Sequence, residues 1–176
     1  MQSIRIIPVL ALLLFCTVLL RAQGSADAMI KEWERAKAYT KEYLEAMPAD
    51  KYGLKPTPDM RSFAGQMLHM TEGNYGIAAA AAGIESPVAF GALEKSPDQG
   101  KEAVIKAVMD GYDFVIKALR GMDPGKMGES IKLFGRFDAT RAVAFDKAFE
   151  HQTHHRGQTT VYIRLAGAKP PQEKLF

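Results

Sequence analysis

The chain contains four histidines, at positions 69, 151, 154 and 155. Three of them fall within five residues, in Glu150-His151-Gln152-Thr153-His154-His155-Arg156-Gly157-Gln158. Each residue of an α-helix advances about 100°, so His151 and His155 stand one turn and about 40° apart on one face. Two imidazoles so placed can converge on a single ion at nitrogen distances of about 2.0–2.1 Å. His154 lies about 60° to the other side of His151 and about 100° from His155, the poorest place from which to share that centre. His69, between Leu68 and Met70, is the expected third ligand. Three neutral imidazoles leave a coordination position open for water or substrate.

The neighbours of these histidines are candidates for supporting roles. Glu72, one turn after His69, fits a general base or a partner to a ligand, although a solvated surface carboxylate is the commoner role of such a residue. Glu150 lies about 100° round the helix from His151. Arg156 would steer an anionic substrate or form a surface ion pair. Gln158 and Tyr162 share the histidine face and would line a pocket, although buried tyrosines also simply find core partners. Ala144 and Ala148 precede the pair on that face, which predicts that it points inward. His-x-x-x-His pairs also occur on helices that bind nothing, and a lone histidine is commonly an ordinary core residue.

Four helices must position these groups. Apolar residues at helical spacing predict them over 26–47, 62–82, 98–120 and 139–165. Their stripes include Ile30, Trp33 and Leu44; Phe63, Met67, Met70 and Ile77; then Val104, Val108, Tyr112, Val115 and Leu119. Gly83 reads as a C-cap, Asp138 as an N-cap, and Gly167, Pro170 and Pro171 stop the last helix. Ile131 to Phe134 reads as a brief extended piece. No convincing strand alternation is present, so the expected class is all-α, a four-helix bundle. The long connections 48–61 and 121–137 leave a plain up-down-up-down order open.

Arg5 opens an N-terminal segment in which Ile6 to Leu20 carry no charge, followed by Arg21 and the small residues Ala22 and Gly24. This pattern predicts a cleavable signal peptide over residues 1–24 and a mature domain over 25–176. Fifteen apolar residues are too short for a bilayer core of about 30 Å, so no stable membrane insertion is expected once the leader is removed. The expected location is exported, in a bacterial periplasm or outside the cell. Cys16, the single cysteine, lies in that leader. The mature chain would then have no thiolate ligand, disulfide or cysteine nucleophile. Without the leader's two arginines the chain has 21 basic against 20 acidic residues, no electrostatic footprint for nucleic acid.

At Leu68-His69-Met70 and over 149–158 the sequence resembles the DinB-like (YfiT-like) family of metal-binding four-helix bundles. Further pieces of the resemblance are Tyr43-Leu44-Glu45-Ala46-Met47-Pro48, the segment from Pro56 to Phe63, Val161-Tyr162-Ile163-Arg164 and Gly167 to Pro171. It covers residues 26–171. It implies a metal triad of one histidine on the second helix and a His-x-x-x-His on the fourth, which fall on His69, His151 and His155. It also implies one divalent ion such as zinc, nickel, iron or manganese. The implied activity is that of a metal-dependent hydrolase or a thiol transferase using bacillithiol- or mycothiol-like thiols. An export signal departs from the cytoplasmic location usual in the family.

Three classes therefore stand: a metal-dependent enzyme acting on an unidentified small molecule, a metal-binding bundle for storage or sensing, and a bundle with structural histidines only. A homodimer is left open. Three nitrogens suit zinc, nickel, copper or iron, so the metal is not specified. Ordinary imidazoles would release it as pH falls through the region near and below about 6.5.

Overall fold

The computed structural model describes the backbone of residues 7–175 and the side chains of residues 26–175. The expected leader, Cys16 and the cut after Gly24 lie outside the residues whose side chains are described. The first helix, α1, is Ile7–Ala46 and continues without a break into that region, earlier than the expected start at Ala26. Among the described residues no helix is long and apolar enough to cross a membrane.

Helix α2 is Phe63–Ala82, α3 is Lys101–Gly121 and α4 is Arg141–Leu165. Their ends follow from local chemistry. The Ser62 hydroxyl accepts the Gly65 N–H at 3.0 Å and caps α2, and Gly83 closes it in the left-handed region at φ 69°. Helix α3 begins three residues later than expected, because Asp98 turns the chain by accepting the Gly100 N–H at 3.0 Å. Helix α4 is capped by Thr140, whose hydroxyl accepts from Val143, and not by Asp138. Asp138 instead lies in a strand the sequence reading missed. Strands β1 (Ser130–Leu133) and β2 (Phe137–Thr140) pair antiparallel, Ser130 opposite Thr140. Four-residue strands are too short to show a convincing alternation.

The directions of the helices follow from cross-contacts. Tyr162 bonds the Arg61 carbonyl at 2.9 Å and Arg141 the Ala81 carbonyl at 2.8 Å, so α2 and α4 run antiparallel. Lys37 pairs with Asp113 and Arg120 with Glu34, while Lys101 reaches the Met47 carbonyl, so α1 and α3 are antiparallel. Thr40 meets Arg156 and Tyr43 meets Thr160, so α1 and α4 are parallel. The order is therefore up-down-down-up. Trp33, Tyr112, Phe63, Met67, Phe145 and Ile163 fill the shared core.

This order has a direct consequence. Helices α2 and α3 run the same way, so residues 84–100 must return the length of α2, about 30 Å for 20 residues. The returning loop runs along α2 past His69, Glu72 and Gly76.

Candidate metal centre

Helix α4 presents His151 and His155 toward α2, and α2 presents His69 toward them. Ring centroids are 4.4 Å apart for His151–His155, 4.7 Å for His69–His155 and 5.4 Å for His69–His151. One ligating atom from each ring lies within 4.8 Å of the others. Two nitrogens on one tetrahedral ion, each about 2.1 Å from it, stand about 3.4 Å apart. Ring movements of about an ångström close the difference, so the three histidines can hold one metal ion.

Space for His151 comes from Gly73, one turn beyond His69. A Cβ at position 73 would lie 2.3 Å from His151 Cε1 and 2.5 Å from its Nδ1, closer than atoms pack. The glycine lets the ring rest on the α2 backbone.

The returning loop supplies an orienting partner. Glu94 Oε1 lies 2.6 Å from His69 Nδ1, and its other oxygen accepts from Arg61 Nε at 2.7 Å. Burial alone would raise the Glu94 carboxyl, but the hydrogen bonds from Arg61 and His69 outweigh it and hold it below the usual carboxylate range. An ionised carboxylate only accepts, so Nδ1 carries the proton and the Nε2 lone pair is free for an ion. Glu94→Ala is expected to lower metal affinity about 10–100-fold in competition with a chelator, and Glu94→Gln, which keeps an acceptor oxygen, to lower it less. Equal affinity in all three proteins would remove Glu94 from the centre.

His151 and His155 are held neutral. Burial, followed by the charges of the neighbouring histidines, pushes His151 down to about 4 and His155 to about 3. Their Nδ1 atoms are enclosed and have no hydrogen-bond partner, the kind of orphan a bound cation resolves. A neutral nitrogen donor set fits a divalent transition metal. The pair therefore stays deprotonated, and so able to act as ligands, to lower pH than ordinary imidazoles would. For the metal-free chain the sign is fixed by linkage. The unfolded histidines titrate near 6.5, so between about 4 and 6.5 the unfolded state binds more protons. Stability is intact above about pH 6.5 and falls as pH drops toward 4. Urea midpoints of metal-stripped protein between pH 7 and 5 should decline, with a smaller decline in His151→Ala/His155→Ala; parallel curves would contradict the burial argument.

The other expected residues take different places. His154 is exposed, outside the trio, with its Nε2 2.8 Å from Gln158 Nε2. Gln158 bridges α4 to Gln66 of α2 beside the histidines. Tyr162 is buried and its hydroxyl anchors the Arg61 carbonyl. Arg156 does not face the site. It is only 4% exposed and points toward α1, with Cζ 4.6 Å from the Tyr39 ring centroid and Nη1 3.2 Å from Gln152 Oε1. Its 140° offset from His151 turns it into the core, so steering by this arginine is set aside.

Glu72 is corrected as well. It is 3% exposed, and its two oxygens accept backbone N–H groups from Gly91 (2.8 Å), Leu93 (2.6 Å) and Glu94 (3.1 Å). It is not a solvated carboxylate, because both of its oxygens are engaged by the loop backbone. It clamps the loop and thereby sets Glu94 against His69. A concavity of about 690 Å³ between α1 and α4 touches His154 but none of the trio.

Fold and site together define a helical bundle that brings three imidazoles from two antiparallel helices into one group able to hold a metal ion. The DinB superfamily profile matches residues 32–159, and the chain belongs to that superfamily. A DinB-like protein from Bacillus cereus ATCC 10987 has a similar structure, with a TM-score of 0.69 at 17% identity over 84% of this chain and 97% of that one. A DinB-like protein from Bacillus subtilis gives 0.65 at 19% identity, over 85% and 96%. At such identities the likeness is one of fold. No curated protein matches the sequence.

Proposed function

We propose that this chain is an exported metal-dependent enzyme, a hydrolase or thiol transferase, working at His69, His151 and His155. The observation that carries the reading is the meeting of three imidazoles from two helices, one of them oriented by Glu94. A divalent ion such as zinc or nickel held there supplies Lewis acidity that lowers the pKa of a water or thiol at its open position. Glu94 keeps the proton on His69 Nδ1, Gly73 seats His151, and burial keeps His151 and His155 unprotonated at neutral pH. Export rests on Arg5, the apolar run to Leu20 and the small residues Ala22 and Gly24.

One observation favours a second reading, a metal carrier or sensor without catalysis. Both nearby carboxylates, Glu72 and Glu94, are already hydrogen-bonded. Metal-stripped and reloaded protein, assayed with ester and thiol-acceptor substrates, separates the two. An enzyme loses turnover on stripping, regains it on reloading, and fails to regain it as His151→Ala. Full metal occupancy without turnover on any substrate class supports the carrier.

A further inference from the structure

The loop that carries Glu94 covers a second feature further along α2. Following the chain backward, Glu94 meets His69, Gly91 meets Glu72, and residues 86–90 reach Gly76. There the loop, α2 and the β1–β2 turn border a hollow of about 530 Å³ lined by Glu72, Gly76, Ser86, Val88, Ala89, Phe90 and Phe134. Its volume suits a small-molecule group. The polar atoms around it are satisfied: the Glu72 oxygens hold loop N–H groups, and the Ser86 hydroxyl donates to the Val88 carbonyl at 2.7 Å. What remains is an apolar surface.

Two details mark the hollow as built. Phe134 is the single described residue other than glycine with positive φ, at 54°, a conformation that strains a bulky side chain. That strained turn sets its ring over Gly76, where a Cβ would come no nearer than 3.8 Å to any neighbour. Phe90, across the hollow, is 86% exposed and Phe134 61%, an apolar rim left open to solvent.

Helix geometry aligns this hollow with the histidines. Gly76 follows His69 by seven residues, which places it about 20° from the same line and about 10 Å along the axis. The clamped carboxylate of Glu72 lines the hollow and, through the loop, orients the His69 partner. We propose that the hollow binds the apolar tail, an uncharged alkyl or aryl group, of the molecule whose polar head reaches the histidine centre. The inference rests on the metal-site reading and adds the substrate class.

Calorimetry of the zinc-loaded full chain with acetohydroxamate and octanohydroxamate tests it. The longer chain should bind about tenfold or more tightly, the effect of burying a few methylenes. Gly76→Leu, which fills the hollow with a good helix former, should abolish that gain while leaving zinc content and acetohydroxamate affinity unchanged. Phe134→Gly, which removes both the wall and the backbone strain, should reduce the gain without loss of stability. No gain in the wild type, or a gain unchanged in both variants, would overturn the hollow as the tail site. If acetohydroxamate fails to bind zinc-loaded protein, the open-position reading fails instead. Equilibrium dialysis with naphthalene then decides the hollow alone: retention lost in Gly76→Leu upholds an apolar site, and no retention in the wild type overturns it.

Discussion

His151→Ala lowers affinity for divalent metal by more than about 100-fold, beyond the loss typical of a residue that merely supports a ligand. The expectation follows from the donor count. Removing one of three nitrogens leaves two, on different helices, with no other histidine placed to replace it. His154 is next in sequence, but it is exposed and turned to Gln158. His154→Ala is therefore the internal control, with metal affinity unchanged. Competition against a chromophoric chelator reads both variants. Equal losses in the two would mean that metal binds to a loose histidine cluster rather than to a defined triad.

The second large effect comes from a residue with no functional group. Gly→Ala within a helix ordinarily stabilises by about 1 kcal/mol. At position 73 the added carbon would sit 2.3 Å from His151 Cε1, so the ring must move, and overpacking of this kind costs about 1–3 kcal/mol. Gly73→Ala should therefore destabilise the metal-free chain by up to about 2 kcal/mol and weaken metal binding at the same time. The pair Gly73→Ala/His151→Ala removes the clash and should recover the stability but not the metal. Denaturant melts of the three variants form a double-mutant cycle. Additive effects would show that ring and backbone do not touch in solution.

These two residues also show what was legible in the sequence. His151 and His155 could be paired from helical spacing alone, and His154 set aside, because one helix carries its own coordinate system. Gly73 was not legible, since its meaning depends on a ring from another helix. Glu94 lies in a loop with no periodicity. It reaches His69 only because α2 and α3 run parallel and the connection must return along α2. Glu72 is on the expected helix but is claimed by that same loop. Helix existence could be read from the apolar stripes, and the end of α2 from Gly83. The start of α4 was misread at Asp138, because a two-stranded hairpin precedes it and Thr140 provides the cap. Arg156 reads in the sequence as steering a substrate or forming a surface ion pair; its offset of about 140° from His151 turns it off the histidine face, and only the packing of α1 shows that it is buried there.

The central claim is that His69, His151 and His155 hold one divalent ion. Protein purified without a histidine tag and crystallised with its native metal allows anomalous diffraction at that metal's absorption edge. The account predicts a single strong peak per chain about 2.0–2.1 Å from a nitrogen of each of the three rings. A peak elsewhere, or none among the three rings in protein whose metal content is otherwise established, would contradict it.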